Sequence, residues 1–295
     1  MTGRLHQKKQ ELAALEENTT QQAQILRNYY QTYLESLSQS VYKQLILASY
    51  QICTQKYPQE FINLSYSQRQ KLQEQIKTIG KTTIDKLIEL LNKKHKKHQE
   101  QPINILEEML LGIAPTEEEV TPLETEEEIM LENSDTFSNI KKPDELIEWT
   151  KHIEKGITQV LDTLSMEINN NLQKYKILPN QLPKQVLEMA IKAETPEHPT
   201  GGQPNLLDVI IETGNKGNDA ENIEVPMTQA QVTKLVAIHL RLHEIEFTEP
   251  ILTLQRKQIR QILEQINQLK KQYQKKEKEC AIAEAETAWR SSWYD

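Results

Sequence analysis

Near its end the chain repeats apolar side chains at alternating intervals of three and four: Ile259, Ile262, Ile266, Leu269 and Tyr273. That period sets all five on one stripe of an α-helix. From Pro250 to about Arg290 such a helix would run roughly 60 Å at 1.5 Å rise per residue. A rod of that length cannot bury its stripe alone. It needs a cover, either other helices of this chain or another chain.

The same period recurs upstream. Leu12, Leu15, Leu26, Tyr29 or Tyr30, Tyr33, Leu37, Val41, Leu45, Ala48 and Ile52 predict one long helix over residues 2–57, weakened at Thr19 and Gln22 and ended by Tyr57-Pro58, since the residue before a proline is pushed out of the α region. A second helix starts at Ser65 or Ser67, with Leu64 as a staple. Its inner face is Leu72, Ile76, Ile79, Ile84, Leu87 and Leu91. The short connection predicts an antiparallel hairpin. A third stripe, Leu146, Trp149, Ile153, Ile157, Val160, Leu161, Leu164 and Ile168, predicts a helix to about Tyr175, followed by a shorter one from Pro183 to about Ala193. Thr228 is read as the cap of a helix through Val232, Leu235, Ile238, Leu242 and Ile245, and Pro250 either begins the last rod or kinks it. Leu206–Ile211 is a short apolar island, a strand or an extended segment laid against a helix.

Polar composition separates these blocks. Residues 101–140 hold ten Glu and one Asp without a Lys or Arg, and Pro102, Pro115 and Pro122 lie among them. A run of that kind repels itself and lacks core-forming side chains. The chain therefore divides into a helical hairpin (1–100), an acidic, mostly disordered linker with short apolar motifs (101–142), a second hairpin (143–194), a Pro/Gly-rich linker (195–226) and C-terminal long helices with an aromatic tail (227–295). The expected fold is all-α: extended helical hairpins and a long C-terminal coiled-coil-like helix, joined by two flexible linkers.

Composition agrees with that picture. Of 295 residues 37% are hydrophobic, with three Phe and eight Gly, and the mean hydropathy is -0.67; a β-sandwich or nucleotide-binding α/β fold needs more turns and aromatic strands. Cys53 and Cys280 form no CxxC or paired framework, so a reducing compartment is expected. Met1–Gln10 resembles neither a secretory signal nor a lipidation motif. The longest apolar stretches fall well short of the ~20 residues of a membrane span. The expected location is cytoplasmic.

No catalytic constellation stands out. GxxxxGK[ST], GxSxG, HExxH and H-x-E…PCxxC are all absent from the sequence. His239 and His243 would stand one turn apart on the helix expected there, a spacing that chelates metal only with a third ligand. Neither an enzyme, a cofactor nor a metal is expected. The net charge of -8 argues against affinity for nucleic acid over the whole surface. Two stretches are basic nonetheless: residues 66–100 carry +5, with Lys93, Lys94, Lys96 and Lys97 at a helix end, and residues 255–278 carry +6, including Lys270, Lys271, Lys275 and Lys276. Either could neutralise phosphates on nucleic acid or on anionic lipid, the latter a peripheral membrane role, or be balanced by the acidic linker. Seven of the ten Tyr fall between Tyr29 and Tyr66, as an amphipathic wall for a helix interface or a stacking platform for bases.

With Ile259 at a heptad a position, Lys276 falls at d, which weakens a two-stranded seam. Glu279 would face Glu284 in a parallel homodimer. Antiparallel packing on this chain's own helices is favoured, and a homodimer remains the alternative. The ending, with Trp289, Trp293 and Tyr294, is either a tail docked back on the bundle or an aromatic anchor for a partner. The run Leu235–Phe247, the Gln-rich rod and the Trp289-Arg-Ser-Ser-Trp-Tyr ending are similar to conserved helical proteins of cyanobacteria, over roughly the C-terminal half. That resemblance implies no activity and no functional residue.

The functional expectation is a non-enzymatic scaffold or adaptor. Its partner-binding residues would be Trp289, Trp293, Tyr294 and the stripe Ile259, Ile262, Ile266 and Leu269. The alternative is a nucleic-acid-associated protein that binds through residues 93–97 and 256–278.

Overall fold

The computed structural model describes residues 2–92, 140–179, 203–213 and 231–293. The basic cluster Lys93–Lys97, the acidic segment up to residue 139, the helix expected over 183–193 and Tyr294 lie outside the described residues.

Among the described residues four long helices build the bundle: α1 (Thr2–Gln51), α3 (Tyr66–Glu89), α4 (Pro143–Lys174) and α6 (Pro250–Ser291). Their directions follow from the residues they pair. Along α1, Lys8 meets Glu279, Glu16 meets Tyr273, Tyr33 meets Arg256 and Lys43 meets Glu249, so α6 runs antiparallel to α1 over nearly its whole length. Lys142 meets Glu277 and Glu154 meets Arg256, which makes α4 antiparallel to α6. Leu90, just past α3, lies against Gly156, and Lys86 reaches Glu167, which makes α3 antiparallel to α4. Each helix thus packs against two antiparallel neighbours, and α1 and α4 face each other diagonally. The fold is all-α apart from one two-stranded sheet.

The core draws on the predicted stripes, with Leu34 and Leu252 joining from outside them and Leu12 and Leu15 left half-buried. Leu26, Tyr30, Tyr33, Leu34, Leu37 and Leu45 of α1 are fully enclosed, as are Leu72 and Leu87 of α3, Leu146, Ile153 and Ile157 of α4, and Leu252, Ile259 and Ile266 of α6. Burying each such side chain contributes about 1.5–3 kcal/mol. Thr19, where the stripe weakens, is buried by returning its hydroxyl to the Leu15 carbonyl at 2.8 Å. Ser65 caps α3 with a full capping box through Gln68, so two orphan helix-end donors are satisfied reciprocally. Gly80 serves close approach: a Cβ there would sit 2.7 Å from the Tyr42 ring of α1.

Two segments depart from the expected pattern. The helix read to residue 57 stops at Gln51 and continues as a π-helical turn, Ile52–Lys56, closed by Tyr57 N–H donating to the Ile52 carbonyl at 2.9 Å. A short helix, α2 (Pro58–Ile62), follows with Pro58 in its first turn, where the missing N–H costs nothing.

Thr228 lies outside the described residues, and from Gln231 on the helix expected through Ile245 is not formed. Gln231–Ile238 is a strand, β2, antiparallel to β1 (Leu206–Thr213), with Leu206 opposite Ile238 and Asp208 opposite Val236. Helix α5 (Leu242–Thr248) begins only afterwards. The apolar residues 232, 235, 238 and 242 fit a three-to-four period, but the run QVTKLVAI is also β-branched and short. Periodicity alone does not separate the two states at that length, and the Leu206–Thr213 segment supplies the partner that decides. Pro250 begins α6 in its first turn, after an extended Glu249, and does not kink a continuous rod.

Candidate interaction surface

Beneath the surface α1, α4, α5 and α6 are tied by one polar cluster. Arg256 stands on the inner side of α6, between the buried Leu252 and Ile259. Its guanidinium lies 4.6 Å from the centre of the Tyr33 ring. Its Nε donates to Glu246 at 2.7 Å, one terminal nitrogen donates to the Tyr33 hydroxyl at 2.9 Å, and the other is bound to Glu154. The phenols complete the ring of contacts: Tyr30 donates to Glu154 at 2.6 Å and Tyr33 to Glu246 at 2.5 Å. Trp149 meets the Tyr30 ring edge-on at 5.4 Å.

Burial pushes both phenols well above the ordinary tyrosine range. The Glu154 charge adds to that for Tyr30, whereas Arg256 opposes it for Tyr33. Burial works against the charge of Arg256, but Tyr33, Glu154 and Glu246 together outweigh it and hold the group above its ordinary value. At neutral pH the cluster is therefore two neutral phenol donors around a fixed cation. Such a cluster fixes helix register, because a slip of either long helix leaves charges unpaired in the core.

A second set of polar contacts holds the small sheet. Asn169 of α4 donates to the Ile238 carbonyl at 2.8 Å and accepts from the Ile238 N–H at 2.9 Å. The Tyr57 hydroxyl accepts from Val236 N–H at 2.9 Å, and Ser165 accepts from Leu240 N–H at 2.9 Å. Side chains thus take the place of a third strand along β2, satisfying backbone groups that burial would otherwise orphan. Asn205, in the left-handed region at φ 61, presents its carbonyl to His239 N–H at 3.0 Å; asparagine tolerates that conformation better than most residues.

Beyond Thr20 and Glu277, among the described residues, α3 and α4 no longer accompany the two long helices, and α1 and α6 continue as a two-helix arm. The α1/α6 seam buries Tyr273 just before the arm and Cys280 within it. Lys276, at the position where a charge weakens a seam, bonds Glu11 at 2.8 Å and Glu279 at 3.2 Å, and Lys8 bonds Glu279 at 2.7 Å. The Lys8 and Lys276 ammonium groups hold the Glu279 carboxyl down at about 2. Lys9 and Glu284 pair at 2.7 Å nearer the end.

The residues singled out from the sequence fall into three groups. Ile259, Ile266 and Leu269 are buried and Ile262 half-buried, all against helices of this same chain. Lys270 pairs with Asp144 and Lys276 with Glu11, whereas Lys271 and Lys275 are exposed. Trp289 and Trp293 stand in solvent at the arm's end, 66% and 71% exposed, with their rings 5.7 Å apart. Tyr30 and Tyr33 are core residues, while Tyr50 and Tyr66 are exposed. His239 follows β2 in the interior, and His243 is exposed on α5, so the one-turn spacing that could chelate a metal does not exist. Burial pushes the Cys53 thiol up to about 12, which makes it a weak nucleophile.

The Arg256 cluster was not anticipated. Its trace in the sequence is Arg256 and Glu154 standing three residues before Ile259 and Ile157, where a stripe would ordinarily carry an apolar side chain.

No helix among the described residues is long and apolar enough to cross a membrane. No protein-family model, curated protein or solved structure matches this chain.

Proposed function

We propose that the chain is a non-enzymatic helical scaffold or adaptor working through protein–protein contact. The bundle is its rigid frame, and the α1/α6 arm is the part that reaches out. The observation that carries this reading is the exposure of Trp289 and Trp293 side by side at the arm's end. Large aromatic side chains are the commonest anchors of protein interfaces. The apolar stripe Ile259–Leu269 is taken up by the chain's own helices, so the arm's end and the acidic 101–142 segment are the parts left for partners. The test is capture from membrane-cleared extract of the native host. The full chain should retain discrete proteins, and Trp289→Ala with Trp293→Ala should lose them at unchanged helicity. Equal capture by the double variant would refute the reading.

A second reading, nucleic-acid association, is favoured by one observation. Lys257, Arg260, Lys271, Lys275 and Lys278 are all exposed on α6 and have no carboxylate partner among the described residues. A salt titration of DNA and RNA binding tests it, because affinity built on phosphate contacts falls steeply as salt rises.

A further inference from the structure

The two tryptophans end a longer pattern. Lys271, Lys275, Lys278, Ile282, Trp289 and Trp293 follow one another at intervals of four, three, four, seven and four. Every interval is a three, a four or their sum, so the first five lie on one flank of α6, and Trp293, in the turn just past Ser291, continues it with its ring 5.7 Å from that of Trp289. That flank is opposite the seam residues Ile266, Tyr273 and Cys280, and all six side chains are exposed. Glu286 is the one acid at the same spacing; Glu279 and Glu284 are engaged with Lys8 and Lys9 of α1. The flank spans roughly 33 Å at 1.5 Å rise per residue, with three cations at one end and three apolar side chains at the other.

We propose that this flank is a docking surface for an anionic lipid bilayer, with the lysines on headgroup phosphates and Ile282, Trp289 and Trp293 at the headgroup–acyl boundary. The proposal rests on the arm being the scaffold's attachment point and names what the arm is attached to. Three features select a bilayer. A straight exposed flank can lie against a plane without any part of the bundle opening. Tryptophan favours the membrane–water boundary, and weak anchors hold when apolar insertion and a basic patch act together. Nucleic acid is disfavoured by the segregation of charges and rings. Stacking platforms place aromatics along a basic groove so that bases reach them, whereas here the two indoles pack on each other, beyond the last lysine of the flank.

The experiment is flotation of the full chain with vesicles of phosphatidylcholine alone or with phosphatidylserine added, read together with tryptophan emission. Binding is expected only with phosphatidylserine, accompanied by a blue shift and reversed by salt. Lys271→Gln, Lys275→Gln and Lys278→Gln together should weaken partitioning on the order of a hundredfold, about fivefold per lysine. Glu286→Gln should strengthen it. Trp289→Ala with Trp293→Ala should abolish both flotation and the shift. Circular dichroism of each variant should be unchanged, since every substituted side chain is exposed. Absence of binding to the anionic vesicles, equal binding to both kinds, or binding insensitive to the three lysines overturns the proposal. So does preference for a single-stranded oligonucleotide without vesicle binding. Trp-dependent protein capture from membrane-cleared extract without vesicle binding overturns the lipid assignment and leaves the adaptor reading standing.

Discussion

Replacing Arg256 with Met removes the cation that, among the described residues, balances two carboxylates and joins two phenols. The side chain of Arg256 is 11% exposed, that of Glu246 17% and that of Glu154 34%. Breaking a buried ion pair from one side costs about 3–5 kcal/mol, because the remaining charge is left without compensation. Glu154 is a third open to water and will recover part of its hydration, so the lower end, about 3 kcal/mol, is expected. For a chain of this size that corresponds to a fall in Tm of roughly 5 °C. Urea unfolding followed by far-UV circular dichroism measures the loss, and calorimetry measures the shift. Arg256→Lys should recover part of it, since a compact ammonium restores the charge but not the fork that reaches Glu154, Glu246 and Tyr33 at once. Adding Glu154→Leu, Glu246→Leu, Tyr30→Phe and Tyr33→Phe to Arg256→Met should bring stability back toward the parent, as apolar replacement of a whole buried ion cluster often does, the phenols included so that neither hydroxyl is left buried without a partner. A loss under about 0.5 kcal/mol, the scale of an exposed pair, would refute the idea that this cluster locks the bundle.

Three further expectations follow from the packing. Asn169→Ala orphans both backbone groups of Ile238 and should cost about 1–3 kcal/mol, with loss of amide protection concentrated on β2 in hydrogen exchange. Gly80→Ala should destabilise by about 1 kcal/mol, since its Cβ would meet a Tyr42 ring at 2.7 Å and overpacking outweighs the helix-propensity gain. Gly156→Ala meets instead the flexible end of Leu90, and comparative thermal melts should place it nearer to neutral. In the arm, the Glu279 carboxyl is depressed from 4.5 to about 2. Its contribution is therefore present above pH about 4.5 and lost as pH falls toward 2. Amide exchange along the arm should rise across that window ahead of the bundle, and Glu279→Gln should weaken the pH dependence, with the Glu11 carboxyl, held down by its bonds to Lys276 and Lys8, carrying the remainder.

The helices were legible because their stripes are long. The α1, α3, α4 and α6 patterns each sustain a 3.6 period over several turns, and the capping box at Ser65 and the proline at position 250 mark where two of them begin. The sheet was not legible as a pair: eight residues of mixed period around Val232–Ile238 suit a helix or a strand until the Leu206–Thr213 partner is in place. Neither was the π-helical turn, which carries no residue signature and is held by where Tyr57 must reach on β2. At the interaction surface the exposed indoles and lysines were readable as residue types. Which of them face outward was not, since that depends on which side of α6 the first helix covers. The Arg256 cluster shows the reverse case. Its members look like ordinary surface charges in the sequence, and only tertiary contact makes them interior.

The account turns on α1 and α6 of one chain covering each other in antiparallel register. Carbodiimide cross-linking of an equal mixture of isotopically heavy and light full-length chains tests this directly, because Lys8–Glu279 and Lys9–Glu284 lie at 2.7 Å and Glu11–Lys276 at 2.8 Å. Intrachain packing gives these cross-linked peptides as all-heavy or all-light species. Mixed heavy–light peptides at the same three pairs would show that another chain covers the stripe and would contradict it.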